Sequence, residues 1–217
     1  MFLPKREILQ KAQRGLLISK EFEPAFVKQA SYDLRLGEEV YIVGRRSPER
    51  LTDRNPYVSL PPGQFAILTC YEEIKIPDNM LAFIALKTTF KFHGLVNISG
   101  FHVDPTFQGK LLFAVQNVGP NDIRLKYKVP TFSIFFSYLT SNKIGESRDK
   151  QTDTHFKHLK GIGLEHMQSL GGGSVTLAKL QKDVDRLKTL IMVYGPFGVA
   201  AFIALLIALV KLFTGKG

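Results

Sequence analysis

Hydrophobic and polar positions divide the chain into three stretches of different character. Between residues 31 and 139, short runs rich in Val, Ile, Phe, Tyr and Leu alternate with turn clusters. The runs lie at 40–43, 64–68, 80–86, 110–115, 123–125 and 132–136. Between them stand Leu36-Gly37, Pro61-Pro62-Gly63, Pro77-Asp78-Asn79, Asp104-Pro105 and Gly119-Pro120-Asn121-Asp122. β-Branched and aromatic side chains suit a pleated, half-buried surface, whereas Gly, Pro and Asn interrupt it. Regular short strands with such punctuation predict an all-β sandwich or barrel of jelly-roll type. No strand alternates with a long helix, so a doubly wound sheet is excluded. Ahead of the strands, Lys5-Arg6-Glu7-Ile8-Leu9-Gln10-Lys11 predicts a short basic helix ended by Gly15.

The second stretch, 140–174, is polar and ends in Gly171-Gly172-Gly173-Ser174, the composition of a hinge between units. In the third, Leu177, Leu180, Val184, Leu187 and Ile191 recur at steps of three and four. That is a heptad seam, with Lys182, Asp183, Asp185 and Arg186 off it. It fits a short oligomeric stalk or an amphipathic helix packed on its own domain; the Gly run before it and the apolar run after it favour the stalk. Residues 191–210 carry no charge, and Lys188 and Lys211 flank them. About 20 residues rising 1.5 Å each span about 30 Å, the thickness of the bilayer's hydrocarbon core. A buried core helix seldom stays uncharged for so long, so the run reads as a single membrane anchor, with Gly195-Pro196 near its start. The expected organisation is a β domain over 1–139, a linker over 140–174, a stalk helix over 175–190 and a membrane helix over 191–213. Because the N-terminus lacks a long apolar stretch, the head is expected on the cytosolic side, with only the residues after Lys211 crossing.

Composition narrows the chemistry. Of 217 residues 45% are hydrophobic and 22% charged, enough to bury a core. The single cysteine, Cys70, excludes an internal disulfide framework, and the five histidines show no metal-binding spacing, so no metal-ligand set is assigned. The net charge of +10 favours polyanions: nucleoside phosphates, nucleic acid or an anionic membrane face. The basic residues are dispersed and no nucleic-acid-binding motif accompanies them, so specific nucleic-acid binding is not expected.

Several fragments, in order, carry a resemblance. They are Ala30-Ser31-Tyr32-Asp33-Leu34-Arg35-Leu36-Gly37; Leu60-Pro61-Pro62-Gly63-Gln64-Phe65-Ala66 with Thr69, Glu72 and Glu73; Ile76-Pro77-Asp78-Asn79-Met80; His102-Val103-Asp104-Pro105-Thr106-Phe107-Gln108-Gly109; and Asn117-Val118-Gly119-Pro120. Each is weak alone, but together they resemble the dCTP deaminases, which share an all-β superfamily with the trimeric dUTPases. The resemblance covers about 30–139 and implies a dUTPase-like distorted jelly-roll or β-barrel head that assembles as a homotrimer with sites at subunit junctions.

The resemblance also locates the chemistry. Family deaminases use no metal; a glutamate in an E-x-x-N strand moves protons while water attacks C4 of cytosine. Aligning on Asn117 puts Ala114 at that glutamate's place. The assisting loop, R-S-S-x-x-R-x-G, aligns with Lys87-Thr88-Thr89-Phe90-Lys91-Phe92-His93-Gly94, so Phe92 replaces its second arginine. Loss of a proton relay costs about 10²–10⁴-fold, so deamination by the usual route is not expected. Lys87, Thr88 and Thr89 offer an ammonium and hydroxyls that hold phosphate, or they form an ordinary threonine-rich turn. The resemblance adds Gln108 and Asn117 as nucleotide contacts. In dUTPases a third-motif aspartate activates the attacking water, with Mg2+ on the phosphates. Asp104 matches that aspartate, Asp33 the first-motif aspartate, and Phe107 the uracil-stacking tyrosine. Alternatively, Asp104-Pro105 is a turn whose aspartate bonds its own backbone. The dUTPase G-D-A-G segment and arginine-bearing C-terminal arm are missing. Three readings follow: a membrane-anchored, non-deaminating binder of a deoxynucleoside triphosphate or a protein; a tethered hydrolase; and a structural trimerising head.

Overall fold

The computed structural model describes residues 1–140, 161–163 and 177–214. They belong to two compact units, a head within Met1–Ser174 and a tail within Val175–Gly217. Apart from Thr140 and 161–163, the expected linker lies outside the described residues, as does the Gly171-Gly172-Gly173-Ser174 hinge.

The head opens with helix α1 (Lys5–Gln13), which buries Ile8 and Ala12 and closes where Gly15 takes φ +72°. Strand β1 (Leu17–Lys20) and a 3-10 turn (Pro24–Phe26) lead into β2 (Tyr32–Ile42), the longest strand. There follow β3 (Glu49–Arg50), β4 (Tyr57–Leu60), β5 (Phe65–Cys70), β6 (Glu73–Lys75) and β7 (Met80–Leu86). A five-residue helix, α2 (Thr88–Phe92), precedes β8 (Leu95–Asn97), β9 (His102–Val103), β10 (Gln108–Gly109), β11 (Leu112–Asn117), β12 (Ile123–Lys126) and β13 (Pro130–Tyr138). The six predicted runs all form strands, 80–86 with the expected ends and the other five with shifted ones. The main sheet is ordered β8-β11-β5-β2-β13-β7-β9 with β3 paired to β2, beside a three-stranded β1-β6-β10 sheet and the β12-β4 pair. Neighbours run antiparallel throughout these pairs. The head is all-β, as expected, a main sheet with two smaller sheets beside it.

One expectation fails. Leu36-Gly37 is not a turn but the middle of β2, where the strand leaves β13 and joins β5. A Cβ on Gly37 would stand 2.5 Å from both the Cys70 carbonyl oxygen and Thr69 Oγ1. Glycine here serves close backbone approach, which looks the same in sequence as a turn. Alternate residues of β2, β5, β11 and β13 fill the core, among them Leu34, Leu36, Leu68, Val115, Ile134 and Phe136. Phe113 and Phe132 stack with ring centroids 3.7 Å apart. On the outer face of the sheet Tyr41, Val43 and Ile67 form a second apolar cluster, against which Ile162 packs while its N–H donates to Glu39 Oε2 at 2.9 Å.

The tail is a single helix, α3 (Leu177–Thr214), continuous through Pro196. The residues expected to form a stalk and those expected to span a membrane thus lie in one helix. Within its segment Lys182–Val210 an 18-residue stretch reaches a mean hydropathy of 2.4, and the segment is long and apolar enough to cross a membrane.

Candidate functional site

Strand β7 carries the predicted phosphate loop out of the sheet. Lys87 follows its last residue, donates its N–H to the Thr131 carbonyl at 3.0 Å, and stands at the N-cap of α2. Its ammonium does not stand free: Lys87 Nζ donates to Asp33 Oδ2 at 2.5 Å. Asp33, buried on β2, also accepts from Ser133 Oγ at 2.8 Å, and Lys28 approaches to 3.8 Å. Thr88 and Thr89 are exposed on the first turn of α2. Phe92, at the position of the second arginine, is 87% exposed.

The loop closes against Asn117. Val118 N–H donates to the Gly94 carbonyl at 2.8 Å, and a Cβ on Gly94 (φ +92°) would meet the Gly119 Cα at 2.4 Å. Asn117 is fully buried. Its Nδ2 donates to the Leu60 and Asn121 carbonyls at 2.7 and 2.8 Å, and its Oδ1 accepts from Gly119 N–H at 2.9 Å. The amide is therefore committed to the backbone it organises.

Asp104 and Gln108 form a separate group. The pairs Ala82↔Val103 and Phe83↔His102 place Asp104 beside Leu81, at the opposite end of β7 from Lys87. Six residues of strand separate them by about 20 Å. Asp104 is 73% exposed, with His102 Nε2 3.5 Å from its Oδ1. Its carbonyl accepts from Phe107 N–H at 3.3 Å, and Thr106 takes φ +68°, so the segment is also a tight turn. Phe107 packs against the core and Gln108 is exposed opposite Lys75.

Ala114 lies on β11 between Phe113 and Val115, both buried, and pairs with Ile67. Its methyl therefore faces away from the core, on the side of Ile67 and Tyr41. Glu39, two strands away on β2 and two residues along from the Tyr41 that shares Ala114's row, holds Ile162 N–H.

The most buried charged side chain among the described residues, Glu72, and its partner Arg35 were given no role by sequence reasoning. Arg35 Nε donates to Glu72 Oε1 at 2.7 Å and Arg35 N–H to Glu72 Oε2 at 3.0 Å, while Tyr32 OH reaches Oε1 at 3.3 Å. Arg35 Nη1 also meets Glu23 Oε2 at 3.0 Å, and the Phe26 and Tyr71 rings flank the guanidinium at 4.8 Å each. Burial pushes the Glu72 carboxyl up and Arg35 opposes it. Burial, reinforced by the Glu72 charge, raises the Cys70 thiol well beyond its ordinary value, so it is no nucleophile at neutral pH. These groups fasten β2 to the β5–β6 turn. Both residues of the central pair stood in quoted motifs; only the fold shows that they meet.

A polar cleft of about 420 Å3 is lined by Lys20, Arg50, Tyr71, Lys110 and Tyr127, among others. None of the predicted site residues lines it. Lys20 is paired with Glu73 at 2.9 Å and Lys110 with Glu38 at 2.8 Å. Burial raises the Glu38 carboxyl, but the Lys110 ammonium more than reverses this and holds it below its ordinary value. Among the described residues no group of three His, Cys, Asp or Glu side chains is placed to hold a metal ion.

Comparisons with known proteins agree with this architecture. The chain is 29% identical over 136 residues to the dCTP deaminase of Pyrococcus abyssi, covering 63% of this chain and 82% of that protein. It is 33% identical over 138 residues to that of Pyrobaculum arsenaticum, covering 58% and 78%. The solved 2'-deoxycytidine 5'-triphosphate deaminase of Agrobacterium tumefaciens superposes with a TM-score of 0.52 at 18% identity. That match covers 64% of this chain but only 48% of the solved one. EIAV dUTPase matches with a TM-score of 0.41 at 18% identity, over 62% and 93%. The domain described as dCTP deaminase-like matches residues 2–137, the whole of the curled sheet with its leading helix. The chain belongs to the dCTP deaminase-like family.

Proposed function

We propose that the head binds a deoxynucleoside triphosphate without deaminating it, and that α3 tethers it to a membrane as a single-pass C-terminal anchor with the head in the cytosol. The observation that carries this reading is Ala114: a methyl group on an apolar sheet face, with Glu39 two strands off and already bonded to Ile162 N–H. A methyl group relays no proton. The phosphates would meet Thr88, Thr89 and the Lys87 ammonium, and Mg2+ would enter as their counterion, since no described carboxylate cluster forms a cage for it. Asp104 stands about 20 Å from that loop, so a site using both needs more than one copy of the head, consistent with a homotrimer. The domain division proposed is a β head over 1–139, a linker over 140–174, a stalk over 175–190 and an anchor over 191–213.

A second reading, a tethered dUTP hydrolase, draws support from the exposed Asp104 carboxylate beside His102. One experiment separates the two. The purified protein is incubated with each deoxynucleoside triphosphate and Mg2+, and melting temperature and products are followed. The first reading expects stabilisation by a nucleotide with no dUTP or ammonia formed from dCTP and no pyrophosphate from dUTP. Formation of dUTP and ammonia overturns it, and pyrophosphate release abolished by Asp104→Asn establishes the second.

A further inference from the structure

We infer that α3 is a self-association element, pairing in parallel and in register with the α3 of a second copy of this chain along one continuous seam. In the polar part of the helix, Leu180, Val184, Leu187 and Ile191 are 48%, 44%, 58% and 70% exposed. Placing Val184 and Ile191 at heptad position a puts Leu180 and Leu187 at d. Lys182, Asp183, Asp185, Arg186 and Lys188 then all fall off the seam. A row of leucine-sized side chains in a charged stretch requires a covering partner.

Charge identifies the partner and its direction. In this register Asp183 is at g and Lys188 at e. In parallel neighbours, g of one helix faces the e position five residues on in the other, so Asp183 meets Lys188 of the adjoining copy at each helix–helix interface, whatever the number of copies. In an antiparallel pair g faces g and e faces e, which sets Asp183 against Asp183 and Lys188 against Lys188. The sequence is complementary to itself in one direction only.

The same register extends into the apolar segment. Positions a and d become Tyr194, Gly198, Ala201, Leu205 and Ala208, while Phe197, Phe202, Ile203, Leu206 and Leu209 fall elsewhere. Three of these five are small, as close helix approach in a lipid environment requires. A Cβ on Gly198 would have no neighbour within 4 Å in the single chain. Pro196, which lacks an N–H, falls at f, opposite the seam, where its ring does not interrupt contact. This inference is independent of nucleotide binding and of the state of the deaminase site.

Disulfide trapping of the full chain in detergent tests it, because the native Cys70 is fully buried. Identical residues at a or d face each other only in a parallel, in-register pair. On oxidation Leu187→Cys should yield about tenfold more linked dimer than Asp185→Cys, since only the former meets the required Cβ separation. Adding Lys188→Glu to Leu187→Cys should cut the yield about fivefold, and adding Asp183→Lys as well should restore it. Equal yields at 185 and 187, or no recovery in the charge-swapped variant, overturn the inference. Association through the heads alone would bring helices together without selecting a face, and so gives the first of those results.

Discussion

Lys87 shows how a side chain offered to a ligand by its place in the chain serves the scaffold as well. Its ammonium neutralises Asp33, buried on β2, and Ser133 supplies the other carboxylate oxygen with a donor. Removing one partner of a buried pair costs about 3–5 kcal/mol; Lys28, at 3.8 Å, lowers the expectation here to about 2–3 kcal/mol. Lys87→Met should therefore lower the melting temperature of the protein with no nucleotide present, and Asp33→Asn in the same chain should recover part of the loss. An unchanged melting temperature in Lys87→Met would show that the pair contributes nothing. For ligand contact the informative substitutions are Thr88→Ala and Thr89→Ala, which leave Asp33 paired. Asp33 was legible in the opening motif, but its partner Ser133 stands 100 positions away with no local signal. Asn117 teaches the same lesson from the other side. A motif asparagine reads as a ligand contact until the fold shows its Nδ2 and Oδ1 bonded to the Leu60, Asn121 and Gly119 backbone.

At the scale of elements, legibility followed length. Runs of six or seven alternating or continuously apolar residues, such as β5, β7 and β11, announce themselves, because the pleat imposes its period on them. Two-residue strands such as β3, β9 and β10 have no period to show and exist only because a neighbour's free edge pairs with them. Helix α2 was hidden for a related reason: five residues carry too little pattern to separate a turn of helix from a loop. The misread Gly37 yields a prediction. A methyl group there would press on the Cys70 carbonyl and Thr69 Oγ1, both held in place by the β2–β5 pairing. Thr69 Oγ1 already exchanges hydrogen bonds with the Glu39 backbone at 2.9 and 3.2 Å, so it has little freedom to yield. Gly37→Ala should cost about 2–3 kcal/mol, a fall of about 5–10 °C in melting temperature for a head of this size. A shift under a degree would mean that β2 can slide on β5 without loss.

At the scale of the whole molecule, two elements argue for different copy numbers. β-Branched residues at a with leucine at d, the pattern of Val184, Ile191, Leu180 and Leu187, lean towards two strands. The proposal for the head is three, because the resemblance implies sites at the junctions of a trimer and Asp104 stands about 20 Å from the Lys87 loop on one chain. The polar part of the seam offers only about two heptads, marginal for holding a number by itself in water. The head exposes Phe92, Ile98, Phe101 and Val118, apolar side chains that an assembly of heads would cover. The head should therefore set the number and the helix follow it. Light scattering of a chain ending at Ser174 should give a three-copy mass, and the full chain in detergent, corrected for the micelle, should give the same number. A monomeric head combined with a dimeric full chain would transfer that role to α3 and leave Asp104 without a route to the Lys87 loop.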